Sequence, residues 1–362
     1  MPKSVKALLH ERHIPALITM CDGTLVSRES WPTRRAEMLG ILQENIYGVT
    51  PPPCPVEGKI LETNERYCAG KVRHDTVALT LHTPCGDHTF PVQLFRPAAY
   101  PHAPVFLHIC FRPDYPDRYT PIEEITDRGF ALAMFDYRDV ATDDGDFTNG
   151  LGALYVGARE RRADEWGKIG MWAYATSRVL DWLETIPGVD ASRVTVTGHS
   201  RLGKTALWCA AQDERFFCGI SNDSGCGGAA IERGKVGEHV DRITTVFPFW
   251  FCPRYAEYAS DVYKMPFDHH FVSACVAPRL CYIASAEEDL WADPASEFLA
   301  AVAASDAYTL LGIPGLAPIP EYLPVAPQHF HDGKLGYHVR KGLHYYDRED
   351  WLEQMAFLEK NL

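Results

Sequence analysis

A chain of 362 residues that is 46% hydrophobic and 12% aromatic can build one large core or two ordinary ones. Its net charge of −13 repels nucleic acid and anionic membrane, and Glu160, Asp164 and Glu165 dilute its densest basic run, Arg159, Arg161 and Arg162. No segment offers the roughly 20 apolar residues of a membrane-spanning helix.

The first thirteen residues carry charges and lack the apolar core of a secretory signal. The 11 cysteines form no CxxC and include Cys110, Cys209, Cys275 and Cys281 within apolar runs. Reduced thiols in a cytoplasmic protein are expected, with no metal site of zinc spacing.

Residues 1–70 read as an N-terminal extension packed on a main domain of residues 71–362. Within the extension, Trp31–Tyr47 has apolar residues at helical spacing, Pro32 suits a first helical turn, and Pro51-Pro-Pro-Cys-Pro55 ends the pattern. Residues 76–82 and 88–96 alternate as a hairpin at a sheet edge, turning at Pro84–Asp87. From Pro104 the pattern changes to continuous apolar runs, Val105–Cys110, Phe130–Phe135, Val194–Thr197, Phe217–Ser221 and Leu280–Ser285. Helical stretches lie near 121–128, 166–185, 201–212, 267–275, 294–303 and 349–360. Buried strands alternating with helices predict an α/β fold, a mostly parallel sheet covered on both faces, with inserted loops near 232–265 and 305–333.

The segment Val194-Thr-Val-Thr-Gly-His-Ser200-Arg-Leu-Gly-Lys204 passes from strand to helix through a turn at Ser200. Such a turn exposes a serine at the carboxyl end of the sheet, and the Arg201 backbone N–H lies where an oxyanion donor is needed. The spacing is G-x-S-x-x-G rather than G-x-S-x-G, and a plain helix N-cap is the alternative for Ser200. As base, His344 follows a glycine turn after the strand-like Leu335–Arg340, whereas His338 lies inside that strand and is expected to be packed. Two acids compete to orient the base. Asp289 follows the strand at 280–285, with Glu287 and Glu288 as solvated neighbours. Asp223 follows the strand after the serine's helix and also suits an Asx turn. His269 and His270 are adjacent, so on a helix they diverge by about 100°, and packing is expected rather than metal binding.

The string Gly198-His-Ser-Arg-Leu-Gly-Lys204 resembles that of the glucuronoyl esterases, carbohydrate esterase family fifteen, and of bacterial relatives labelled acetylxylan esterase. So do the Arg34-Arg35 pair, Ser224-Gly-Cys-Gly-Gly228, Pro266-Phe-Asp-His-His270, Ala277-Pro-Arg279, the Trp291–Pro294 block and the His344 loop. The resemblance implies an α/β-hydrolase fold and a serine ester hydrolase acting on carbohydrate esters, glucuronoyl or acetyl, without a cofactor. It implies that Ser200 attacks, Arg201 supports the oxyanion, Lys204 hydrogen-bonds sugar hydroxyls and Trp291 borders the sugar. A catalytically silent carbohydrate-binding protein on this scaffold is the reading from another class. His199 stands where the family has cysteine, so the disulfide of secreted members is not expected. The stretch Thr244–Phe251 lacks the polar residues that contact the uronic acid in fungal members.

Overall fold

A computed structural model describes residues 2–111 and 120–362. The apolar runs become parallel strands because each is covered on both faces, which leaves no reason for polar alternation. In chain order the strands are β1 (Val56–Tyr67), β2 (Val72–Thr83), β3 (Gly86–Pro97), β4 (Ala103–Cys110), β5 (Ala131–Asp136), β6 (Val189–His199), β7 (Cys218–Asn222), β8 (Leu280–Ala286), β9 (Gln328–Phe330) and β10 (Leu335–Arg340). They form one sheet in the order β1-β2-β3-β5-β4-β6-β7-β8-β10-β9. From β5 to β10 neighbours run parallel, while β1, β2, β3 and β9 pair antiparallel. Strand order reverses around β4, which lies between β5 and β6. The carboxyl ends of β6, β7, β8 and β10 therefore open onto one side of the molecule. The mostly parallel α/β sheet read from the sequence is present.

The predicted hairpin is β2–β3, closed at Thr83 and Gly86, but it is not the sheet edge. Residues 56–67, read as part of the extension, add β1 outside it. β1 is exposed along nearly its whole length, so it carries no burial pattern for a sequence to reveal. Gly58 lets it pass the ring of Trp182, because a Cβ there would fall 2.1 Å from the indole nitrogen.

The helix Trp31–Leu42 buries Met38 and Leu42 in the main core and carries two buried arginines. Arg34 donates to the carbonyls of Ala16 and Leu17. Arg35 donates to Cys275 and Ala211 carbonyls and to Glu214. Ala211 is in the last turn of the helix Arg201–Gln212, so Arg35 satisfies one of the carbonyls that every helix end leaves open. The extension is thereby tied to the helix that begins next to Ser200. The helix Lys168–Leu183 is buried almost all round and the helix Pro294–Leu310 runs past the predicted 303. Among the described residues no helix is long and apolar enough to cross a membrane.

Candidate active site

Ser200 sits between β6 and the helix Arg201–Gln212 with φ +58° and ψ −126°. A non-glycine residue there is strained, which identifies a tight strand-to-helix turn held by its surroundings. Its N–H donates to the Asn222 carbonyl at 2.8 Å, and its side chain makes no capping bond, so the N-cap alternative does not describe it. Two glycines permit the turn. A Cβ on Gly198 would lie 2.3 Å from the Leu202 carbonyl oxygen, and one on Gly203 would lie 2.9 Å from that of Asn222. The odd spacing of the motif thus reflects where the following helix crosses β6 and β7.

His344 reaches the same place from the loop after β10, and its Nδ1 lies 2.6 Å from Oδ2 of Asp289. Asp289 is buried after β8, and its Oδ1 accepts from the Ala292 N–H at 3.2 Å. Burial pushes its carboxyl up, but the His344 bond and charge outweigh that and hold it below the ordinary value. Asp223 lies behind them. One polar atom each from Asp223, Asp289 and His344 falls within a 4.8 Å span. Its oxygens are otherwise engaged, however. Oδ1 accepts from the Ala286 N–H at 2.7 Å, and Oδ2 lies 3.4 Å from Arg340. Complete burial, then repulsion from Asp350 and Glu297, favours its neutral form. The geometry pairs His344 with Asp289.

Ser200, Arg201, Lys204, Asp223, Glu238, Phe247, Trp250, Trp291 and His344 line one cavity of about 220 Å³. The Arg201 guanidinium lies 4.7 Å over the Trp250 ring and is ion-paired with Asp143. Trp250 Nε1 and the Tyr137 hydroxyl donate to the same carboxylate at 2.7 and 2.8 Å. Asp143 thus fixes both the cation and the aromatic plane beneath it. Lys204 is buried and donates to the Ser224 carbonyl, and desolvation lowers its pKa. Trp291 is about half exposed at the mouth.

Behind Ser200, His199 is buried, bonds Asn222 at 2.6 Å and lies 4.5 Å ring to ring from His344. Burial, then the neighbouring His344, pushes its pKa down to about 3, so it stays neutral beside His344. His338 is packed as expected, between the Tyr282 hydroxyl and Asp350. His269 and His270 are buried, and His270 bonds the Pro15 carbonyl. Sequence reading missed Asp143, Glu238 and Trp250. Asp143 and Glu238 lie in loops without a motif, and Trp250 looks like core in its aromatic run.

A family model described as glucuronyl esterase of fungi matches residues 110–312. The carbohydrate esterase MZ0003, from an unknown prokaryotic organism, is 41% identical over 245 residues, which are 67% of this chain and 56% of that protein. The chain therefore spans little more than half of that relative's length. The 4-O-methyl-glucuronoyl methylesterase 1 of Wolfiporia cocos is 27% identical over 86% of this chain and 75% of its own. Among solved structures, the glucuronoyl esterase of Solibacter usitatus superposes with a TM-score of 0.88 at 34% identity, covering 96% of this chain and 97% of that one. A promiscuous esterase of the same carbohydrate esterase family, from the marine bacterial metagenome, gives 0.87 at 31% identity, covering 98% and 99%.

The cytoplasmic expectation is overturned by these relatives, the fungal ones being 4-O-methyl-glucuronoyl methylesterases. The thiol argument fails for a physical reason. Eight of the cysteines are buried, and burial shields an unpaired thiol in any compartment. From its fold, the match of the family model and its structural neighbours, the chain belongs to the glucuronoyl esterase family of carbohydrate esterases, carboxylic ester hydrolases with an α/β-hydrolase fold.

Proposed function

We propose that this chain hydrolyses esters of 4-O-methyl-glucuronic acid through an acyl-enzyme on Ser200. The observation that carries this reading is the convergence of a strained Ser200, a His344–Asp289 pair at 2.6 Å and the buried cation Lys204 on one small cavity. His344 takes the Ser200 proton as the oxygen attacks the ester carbonyl. The Arg201 N–H and guanidinium meet the developing oxyanion, and one such donor is typically worth ~3 kcal/mol of barrier. The alcohol leaves with the proton from His344, and water then attacks the acyl-enzyme with His344 again as base. Lys204 and Glu238 offer a donor and an acceptor for sugar hydroxyls, and Trp291 offers a face for the ring.

A methyl ester of 4-O-methyl-glucuronate compared with acetylated xylan tests the substrate. Faster turnover of the glucuronate ester is expected, and release of acetate alone would sink the uronate reading. The acetyl reading draws on a family member described as promiscuous, and it predicts comparable rates on both substrates.

Asp143→Asn is expected to lower kcat by about tenfold to a hundredfold, the loss of a charge-assisted bond worth ~1.5–3 kcal/mol. Because Asp143 acts through Arg201, KM should move little, while Tm should fall, since the same carboxylate ties Arg201, Trp250 and Tyr137 together in the folded chain. A KM rise with kcat intact would assign Asp143 to ground-state binding instead.

A further inference from the structure

A second cluster of donors lies at the far edge of the sheet. β9 is only three residues long and pairs on one side with β10, His329 facing His338 and Phe330 facing Tyr337. Alternation along the extended chain sends Phe330 into the core, where it packs against Phe298 and Tyr337, and puts His329 and His331 on the opposite face. Their rings stack with centroids 4.6 Å apart. The helix Arg348–Glu359 covers that face and brings Glu353 to both. His329 Nδ1 lies 3.2 Å and His331 Nε2 3.5 Å from the same carboxylate oxygen, and one such atom from each residue falls within a 4.8 Å span.

Those separations have a chemical meaning. Zinc–nitrogen and zinc–oxygen bonds of ~2.0–2.1 Å at tetrahedral angles put neighbouring donor atoms about 3.3 Å apart. An ordinary ion pair would need a protonated imidazole. Two imidazoles and a carboxylate bring one donor atom each to within a 4.8 Å span, a set that suits a cation of the zinc class once the rings turn out of their stack. His331 Nε2 also bonds the Tyr282 hydroxyl at 2.8 Å. Taking that nitrogen for a metal leaves Tyr282 its other partner, His338 Nδ1, at 2.8 Å.

We propose that His329, His331 and Glu353 bind a divalent cation of the zinc class, with a further position open to water, which clips the short edge strand to the last helix. The site is separate from the cavity at Ser200 and independent of the reading given to it. A sequence does not display it, because the H-x-H pair and its carboxylate belong to different elements.

The test is equilibrium dialysis and calorimetry of the metal-stripped full chain with zinc chloride alone. Saturable binding is expected, with a Tm rise because the ion favours the folded state. His329→Ala, at the surface, and Glu353→Gln, half-buried, should each weaken binding by at least about tenfold and cancel the Tm rise, with ester hydrolysis by the metal-free chain unchanged. Asp223, Asp289 and His344 form a competing donor set, so His344→Ala is the control. Absence of saturable zinc binding would overturn the proposal. So would binding that survives both of these substitutions and disappears in His344→Ala.

Discussion

Ser200→Ala is expected to reduce turnover by at least ~10⁴-fold while leaving the fold as stable as before, within about 0.5 kcal/mol. The two halves of this expectation have separate causes. The hydroxyl caps no backbone N–H, so its removal leaves no donor unsatisfied. Alanine keeps the same Cβ at φ +58°, so the strain of the turn is neither relieved nor increased. A serine acting as a helix cap would behave in the opposite way, losing about 1 kcal/mol of stability and no activity. Whatever turnover survives would come from binding and the oxyanion donors alone, which in serine hydrolases still exceed water by ~10³–10⁴. The measurements are steady-state kinetics on the glucuronate methyl ester and a thermal melt of the same preparation. Undiminished turnover would remove Ser200 from the mechanism and with it the assignment of His344 as its base.

What the sequence made visible follows from how each feature is stabilised. β4 to β8 and β10 are buried on both faces, and burial writes itself into the chain as an apolar run. β1 is held to β2 by backbone hydrogen bonds and exposes most of its side chains, so Val56–Tyr67 looks like an arm. The turn at Ser200 is local: strand, glycines and helix lie within a dozen residues, and its geometry is readable from their order. Asp143 is hardly readable locally, since beyond Tyr137, six residues before it, it gathers Arg201 and Trp250 from far along the chain. The two acids show the same limit. Asp223 and Asp289 both follow adjacent strands at the carboxyl edge, and either position is within reach of a histidine from the next loop. Only the side-chain partners separate them. The cysteines misled because apolar burial and a reducing compartment leave the same mark on composition.

That separation of the acids yields the second large effect. Asp289→Asn is expected to lower kcat by ~10⁴-fold, because an amide cannot hold His344 in the tautomer that leaves Nε2 free to accept the Ser200 proton, nor offset the imidazolium charge. Asp223→Asn should stay within about tenfold of the wild type. An asparagine there keeps an oxygen for the Ala286 N–H, and Arg340 keeps Asp350 at 2.8 Å. Its cost appears in stability instead, about 1–3 kcal/mol for a disturbed buried group. The pH dependence of folding distinguishes the two further. Asp289 lies below its ordinary pKa in the folded chain, so its carboxylate favours folding at pH above the unfolded value of about 3.9. That contribution is lost as pH falls through the lower folded value, and Asp289→Asn should flatten this acid-side loss. Asp223 is shifted the other way by burial, so its charged form opposes folding as pH rises, and Asp223→Asn should relieve that. Kinetics and acid titration of both variants decide the matter. A loss of several thousandfold in Asp223→Asn with near-normal Asp289→Asn would reverse the assignment and make the 2.6 Å contact with His344 a resting-state pairing only.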